Sequence, residues 1–371
     1  MDMERYHRQI ILPGFGEAAQ NKLQQAKILV IGAGGLGCPA LQYLAAAGVG
    51  TIGIVDYDAV DYSNLHRQTL YSASDVGKLK AETAAKKINE LNADIQIDAY
   101  STKLDNSNAL DIIANYSLVL DGTDNFATRY LVNDACVLLD KPLIYGAVLR
   151  FEGQAGVFNL ADGAGLKTNY RDLFPQPPLP SDVPSCAGAG VLGVLPGIIG
   201  TLQATEALKI IANIGKPLCN MVITYNILTN RFYEFTVTPC NKNNYLVPKN
   251  SAEFAAFNYD WFCNLIYNNY EISVSEFDAL RLNESIMVID VREQGEFPPI
   301  DEFECINIPL GQITDYSIED CSAENIILIC QSGKRSAHAL EIMRKKYAAR
   351  RILSLQGGIS EWKKHNSAIR K

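Results

Sequence analysis

Residues Lys27 to Gly37 read KILVIGAGGLG. The apolar run Lys27 to Ile31 has the composition of a strand and the helical pattern Leu36 to Ala47 follows at once. Gly32, Gly34, Gly35 and Gly37 therefore fall on or beside the turn between strand and helix. Glycines there let the backbone approach a ligand closely, and a helix N-terminus offers unpaired N–H groups to phosphate oxygens. The next apolar run, Thr51 to Val55, ends at Asp56, roughly twenty residues further on, where a carboxylate can accept from a ribose hydroxyl. On these residues alone a nicotinamide or flavin enzyme fits as well as one that binds a nucleoside triphosphate.

Outward from this turn, short apolar runs at Ser117 to Leu120 and Pro142 to Tyr145 alternate with a helical pattern at Val76 to Leu91. That rhythm predicts a parallel α/β sheet. Beyond Tyr145 the strand-like segments Gly153 to Asn159, Met221 to Tyr225 and Arg231 to Val237 lack regular helices between them, so the sheet should continue antiparallel and be mixed. Asp162 to Ala189 holds PQPPLP and several glycines and reads as a long mobile loop. Thr238 to about Tyr270 shows no period, and strand and helix signals resume at Ile272. The expected organisation is a Rossmann-like domain over 1–245, a linker over 246–271 and a smaller α/β domain over 272–371. No internal repeat is visible.

Composition agrees with two cores, because 48% of the 371 residues are apolar. A formal charge of −8 and a pI near 5.2 argue against a nucleic-acid partner, which calls for a basic surface. Nine cysteines are scattered without a C-x-x-C pair, which is a poor disulfide framework and suits a reducing, cytoplasmic setting. Met1 to Gln9 is charged, and the greasiest run, Val191 to Leu202, is short and interrupted by Gly and Pro, so neither a signal peptide nor a membrane span is expected.

Two further stretches discriminate between the nucleotide readings. IVDYDAVDYSNLHRQ, Ile54 to Gln68, brings Asp58, Asn64 and Arg67 together, and Lys80 begins what reads as the exposed side of a helix. Cations there suit a triphosphate: Arg67 and Lys80 can neutralise charge on an α-phosphate and on pyrophosphate, a clamp that hydride transfer does not need. LVLDGTDNFATRYLVND, Leu118 to Asp134, places Asp121 and Asp124 at the carboxyl end of a strand, where open α/β sheets bind ligands. Asp124 offers hard oxygens to Mg2+, or else the Thr-Asp-Asn cluster caps the following helix.

RYHRQI at Arg5 to Ile10, GAGGLG, DYDAVDYSNLHRQ and GTDNFATR together resemble the ThiF/MoeB/HesA family, bacterial relatives of ubiquitin-activating enzymes, over nearly all of residues 1 to 240. The resemblance implies ATP-dependent adenylation of the C-terminal Gly-Gly of a ubiquitin-like protein. It places Asp56 on the ribose, Asn64, Arg67 and Lys80 on the phosphates and Mg2+ on Asp124. It also implies a homodimer in which Arg8 reaches the partner subunit's nucleotide site. Cys186, in VPSCAGAGVLGVLPGIIG, matches the family's active-site-loop cysteine and is open to three readings: nucleophile, resolving thiol or buried bystander. Many relatives hold zinc through two C-x-x-C pairs; here Asn169, Asp172 and Asn243 stand where thiolates would, with only Cys240 remaining. No zinc is expected, and packing alone should hold that corner.

Near the C-terminus, IILICQSGKRSAHALEIMRKK reads as strand, turn and helix with Cys330 at the strand's carboxyl end, a setting whose N–H groups favour a thiolate or persulfide. Arg335 should add positive charge. With VIDVREQGEF, INIPL and LQGGISEW alongside, residues 272 to 365 resemble a single rhodanese domain. Four residues separate Cys330 from Arg335, where a cysteine phosphatase would want five, so sulfur is the better reading and an inert docking module the bland one. Asp290 and Arg292 are expected to hold the domain together.

The combined expectation is adenylation of a ubiquitin-like sulfur carrier, followed by sulfur transfer through Cys330, with a persulfide donor such as a cysteine desulfurase as a further partner. Its rivals are an NAD-dependent oxidoreductase, a scaffold that binds a ubiquitin-like protein, and a related adenylating enzyme acting on a small molecule or tRNA.

Overall fold

The computed structural model describes residues 3–175, 190–240, 247–259, 270–283, 285–318, 321, 323, 325–347 and 351–369. The chain divides into two compact units, Met1–Cys263 and Asn264–Lys371.

The first unit is built on one eight-stranded sheet. Its strands are β1 (Lys27–Ile31), β2 (Thr51–Val55), β3 (Gln96–Tyr100), β4 (Leu118–Asp121), β5 (Leu143–Leu149), β6 (Glu152–Phe158), β7 (Met221–Asn226) and β8 (Arg231–Thr236), in the order β3-β2-β1-β4-β5-β6-β7-β8. β1 to β5 run parallel, and β6, β7 and β8 add antiparallel, so the sheet is mixed as expected. The central strands are nearly continuous apolar runs because both faces are covered. The helices are α1 (Met3–Ile10), α2 (Gly16–Gln25), α3 (Gly37–Ala46), α4 (Lys80–Leu91), α5 (Ala109–Ala114), α6 (Phe126–Leu138), α7 (Tyr170–Leu173), α8 (Val194–Ala212) and α9 (Ser251–Ala256).

The order of the sheet reverses between β1 and β4, and ligands of open α/β sheets bind at such a point, outside the carboxyl ends of the strands. All the candidate nucleotide residues except Arg8 follow the carboxyl ends of β1, β2 and β4. β3 escaped the sequence reading because it is a half-exposed edge strand with little apolar contrast.

α8 is the one helix among the described residues long and apolar enough to cross a membrane. It packs against α3, β5 and β6, and Leu195, Ile199, Ala204 and Ala207 are buried. Pro196 does not interrupt it, because a proline in the first turn gives up only an N–H that has no helical partner.

The segment 246–271, read as a linker, contributes residues to the first unit. Phe254 of α9 and Tyr259 are buried, and Tyr259 Oη donates to Asp134 Oδ2 at 2.9 Å. The Asp134 carboxylate also takes two bonds from the fully buried Arg171, Nε at 2.8 Å and Nη2 at 2.6 Å. One carboxylate on α6 thus ties down both α7 and the segment after α9. These partners lie too far apart in sequence for any local pattern to pair them.

The second unit has a five-stranded parallel sheet of β9 (Glu271–Ile272), β10 (Ile286–Asp290), β11 (Ile306–Asn307), β12 (Asn325–Ile329) and β13 (Arg351–Leu355), in the order β11-β10-β12-β13-β9. Its helices are α10 (Val274–Asn283), α11 (Lys334–Lys346) and α12 (Gly358–Ile369). β12 is buried throughout and delivers Cys330 from its carboxyl end.

Candidate functional site

The four glycines of the first loop have different jobs. Gly32 has φ +91°, and a Cβ added to it would stand 2.8 Å from the Gly122 carbonyl oxygen. A Cβ on Gly37 would stand only 1.9 Å from the Gly32 carbonyl oxygen. These two glycines let the β1 loop, the β4 loop and the first turn of α3 close on one another. Gly34 is different: its φ is ordinary, and the nearest atom to an added Cβ is Gln68 Nε2 at 3.5 Å. The protein itself does not need glycine there, so the bare backbone is left for a ligand to approach. Tyr71, which the sequence reading missed, braces the loop from beneath. Its hydroxyl donates to the Ala33 carbonyl at 2.9 Å and lies 3.3 Å from that of Lys80.

Asp56 follows β2 beside the glycine loop. One carboxylate oxygen accepts from Ala33 N at 2.8 Å and the other from Asp58 N at 2.9 Å, leaving each a further lone pair. Burial raises its pKa above the usual carboxylate range, against the pull of the Lys80 ammonium. Lys80 itself does not lie on the exposed side of a helix as expected. It is the first residue of α4, 5% exposed, and its ammonium donates to Asp58 Oδ2 at 3.0 Å. The chain doubles back on the loop after β2 at that point, Leu79 bridging to Ala59, and folds the cation inward, where it meets a carboxylate 22 positions earlier.

Asn64 and Arg67 sit on the turn after β2. Asn64 Oδ1 accepts from Gln68 Nε2 at 2.7 Å, and Arg67 Nη1 donates to the Ser63 carbonyl at 3.3 Å and lies 2.8 Å from His66 Nε2. Arg67 has no carboxylate partner among the described residues, so its charge is available to an anion. Gln68 is buried, and its Oε1 has no hydrogen-bond partner among the described residues. An orphaned polar atom beside the open face of Gly34 is what a nucleotide site would present.

Beyond β4 the polar residues separate by role. Asp121 is fully buried; its Oδ1 accepts from Thr123 N at 2.9 Å and Thr123 Oγ1 at 2.6 Å. Arg129 Nη2 donates to the Thr123 carbonyl at 2.9 Å from within the rings of Phe126, Tyr145 and Tyr170, and Gln203 Nε2 donates to the Asp121 carbonyl at 2.7 Å. Asn125 caps α6, its Oδ1 accepting from Thr128 N at 2.8 Å. Helix capping therefore does not occupy Asp124, which is exposed and makes no hydrogen bond or ion pair among the described residues. Such a carboxylate fits a magnesium ion, which takes one or two protein carboxylates and fills its other positions with phosphate and water. Arg8, on α1, is exposed.

Cys186 and Asn243 lie outside the described residues. Asn169 and Asp172 form a capping box on α7: Asp172 Oδ2 accepts from Asn169 N at 2.8 Å. Asp172 Oδ1 accepts from Cys240 N at 2.7 Å. That corner is thus not held by packing alone, because a carboxylate joins the two chain segments through hydrogen bonds. Among the described residues no group of three His, Cys, Asp or Glu side chains is placed to hold a metal. Cys38, in the first turn of α3, is fully buried, and burial pushes its thiol up to about 12.

In the second unit Cys330 is 1% exposed. The loop behind it is fixed by the start of α12: Ile359 N donates to the Cys330 carbonyl at 2.9 Å and Ser360 N to the Gln331 carbonyl at 3.1 Å. A Cβ on Gly358 would stand 2.3 Å from the Cys330 carbonyl oxygen, which explains the Gly357-Gly358 pair. With the carbonyls so engaged, the N–H groups of Gln331, Ser332 and Gly333 find no backbone acceptor among the described residues. Arg292 holds the frame, as expected: it pairs with Asp290, Nε to Oδ1 at 3.0 Å and Nη2 to Oδ2 at 2.8 Å. Its Nη1 reaches the Pro298 carbonyl at 2.9 Å and Gln331 Oε1 at 3.3 Å. Arg335 is not a free charge, for it pairs with Glu296.

Comparison with known proteins agrees with this division. Residues 6–247 match the ThiF family and residues 273–365 the rhodanese-like domain. The probable adenylyltransferase/sulfurtransferase MoeZ of Mycobacterium tuberculosis is 41% identical over 98% of this chain and 93% of its own. A sulfur carrier protein adenylyltransferase of Thermus thermophilus is 52% identical over 64% of this chain and 88% of its own. Among solved structures, E. coli MccB with AMPCPP and MccA superposes with a TM-score of 0.56 at 22% identity, covering 65% of this chain and 73% of that one, a likeness of fold.

Proposed function

Because the chain belongs to the ThiF family and ends in a rhodanese-like domain, we propose that it adenylates the C-terminal glycine of a ubiquitin-like sulfur-carrier protein with ATP and passes sulfur to the activated carboxyl. The observation that carries this reading is the buried Lys80 ammonium beside the glycine loop, with Arg67 free of any carboxylate partner among the described residues. Two cations at a phosphate loop suit a reaction that builds charge on phosphorus and pyrophosphate.

In the first step a carboxylate oxygen of the carrier attacks the α-phosphorus of ATP. The bond to the oxygen bridging the α- and β-phosphates breaks, and pyrophosphate leaves with the electron pair. Asp56 takes the ribose hydroxyls, Gly34 and Gly35 with the start of α3 receive the phosphates, and Asn64, Arg67 and Lys80 steady the developing charge. Asp124 would hold a magnesium ion, which when bound would supply Lewis-acid chemistry to the phosphates. A homodimer would bring Arg8 to the partner's nucleotide.

In the second step Cys330 carries a persulfide received from a donor such as a cysteine desulfurase. Its terminal sulfur attacks the acyl carbonyl and AMP leaves, giving an acyl disulfide. A second thiolate, assigned to Cys186, attacks the Cys330 sulfur and releases the carrier as a thiocarboxylate. The Cys186–Cys330 disulfide that remains must be reduced by an external thiol. No disulfide joins the seven described cysteines, which suits a reducing cytoplasm. The test is exchange of labelled pyrophosphate into ATP by the purified chain with its carrier and Mg2+; exchange without any carrier, or none with it, would refute the reading.

A further inference from the structure

Arg335, the guanidinium of the Cys330 loop, is held at two points by Glu296. Its Nη1 donates to Glu296 Oε2 at 2.7 Å and its Nη2 to Oε1 at 2.5 Å, which is the paired-fork geometry of the stronger arginine–carboxylate contacts. The carboxylate is held in its own turn, because Glu296 Oε2 also accepts from Glu293 N at 3.3 Å and Glu296 N donates to the Glu293 carbonyl. Both side chains are about one-third exposed, at 34% and 27%. Arg335 lies within electrostatic reach of Cys330, and hydrogen bonding from Arg335 holds the Glu296 carboxyl below its ordinary range. Arg335 therefore presents the charge of an ion pair and not that of a free guanidinium, whatever the exposed Lys334 beside it adds for every donor alike.

We propose that Glu296 is a specificity-determining residue of the sulfur-loading step: by occupying Arg335 it withholds a cation from small dianionic sulfane donors and favours donors whose sulfur arrives as a monoanionic persulfide. The inference rests on the reading of Cys330 as the sulfur acceptor. With thiosulfate, the Cys330 thiolate attacks the outer sulfur, a Cys–S–S bond forms, the S–S bond of thiosulfate breaks, and sulfite leaves with the electron pair. Two negative charges approach the loop and two depart on sulfite, so one free guanidinium near Cys330 would assist both ends of the step. A persulfide donor brings one charge and gains less.

The experiment is a charge cycle on the full-length protein, with sulfur passed from Cys330 to cyanide and KM and kcat measured separately for thiosulfate and for cysteine persulfide. Glu296→Gln should lower the thiosulfate KM about fivefold, a modest change because the pair is partly exposed, and leave the cysteine persulfide KM within about twofold. Arg335→Gln, which strands the Glu296 carboxylate, should raise the thiosulfate KM about fivefold or more, and the double variant should return to within about twofold of the wild type. A purely architectural pair would instead lower kcat for both donors in both single variants. An unchanged or higher thiosulfate KM in Glu296→Gln overturns the proposal. So does a double variant as impaired as Arg335→Gln, because Arg335 would then touch the donor itself; that comparison stands even if Glu296→Gln alone does not fold. If the wild-type chain gains no sulfur atom from either donor, read as the mass of the intact protein, the sulfur-acceptor reading fails first and this inference with it.

Discussion

The ammonium of Lys80 lies 3.0 Å from the Asp58 carboxylate, with the lysine buried and the aspartate half exposed. A buried cation is thus tethered to a carboxylate that stays in water, so it is held in place at the glycine loop without being wholly neutralised there.

Lys80→Met should therefore cut carrier-dependent pyrophosphate exchange by about 100-fold or more, in the range found when one charge-stabilising donor is removed. Asp58→Asn should act mainly on stability, costing about 1–2 kcal/mol, because it strips the hydrogen-bonded partner from a buried charge and leaves only the nearby Asp56 carboxylate to offset it. Exchange rates and denaturant midpoints measured on both variants separate the two roles. Equal loss of activity with no loss of stability in Asp58→Asn would contradict them.

The glycine loop makes a paired prediction. Gly37→Ala drives a methyl group into the Gly32 carbonyl and should destabilise the first unit by about 3 kcal/mol or more. Gly34→Ala meets nothing closer than Gln68 Nε2, so it should fold normally and lose nucleotide affinity, read by thermal melting with and without ATP. A Gly34→Ala protein that binds ATP as the wild type does would remove Gly34 from the phosphate site.

Asp124 is exposed and unbonded among the described residues, so Asp124→Ala should leave the melting temperature unchanged and abolish Mg2+-dependent exchange. Exchange at the wild-type rate would end its assignment as the magnesium ligand.

Asp172 is already engaged by Asn169 N and Cys240 N, and Asn169 by the same cap. Elemental analysis of the purified chain should find no stoichiometric zinc, and chelators should leave its unfolding curve unmoved. One tightly held zinc per chain would show that the carboxylate had been read in the wrong role.

Cys330→Ser changes one atom and removes the sulfur that can bear a persulfide, while the proposed nucleotide residues all belong to the other unit. It should spare adenylation and block thiocarboxylate formation, and Cys186→Ser should spare adenylation and stall at a covalent carrier adduct. Mass spectrometry of the carrier after incubation with ATP and donor distinguishes carboxylate, thiocarboxylate and adduct. Thiocarboxylate made at the normal rate by Cys330→Ser, with no other sulfurtransferase present, would take the rhodanese-like domain out of the mechanism.

Sequence alone determined the features that depend on local backbone geometry. Strand-to-helix alternation, the glycine turn, Asp56 after β2, and Cys330 after β12 could all be read from periodicity and spacing, because a few consecutive residues set the conformation in each case. Only the tertiary structure decided how charges pair across the fold. Lys80 turned inward to Asp58, Arg335 to Glu296 39 positions away, and Tyr259 to Asp134 125 positions away. The physical reason is that an ionic side chain takes its state from whatever the topology packs beside it, and sheet order and chain return, not local sequence, determine which residues become neighbours. Hence the sequence put the cations near the glycine loop and Cys330, while the fold set which of them found a carboxylate partner among the described residues.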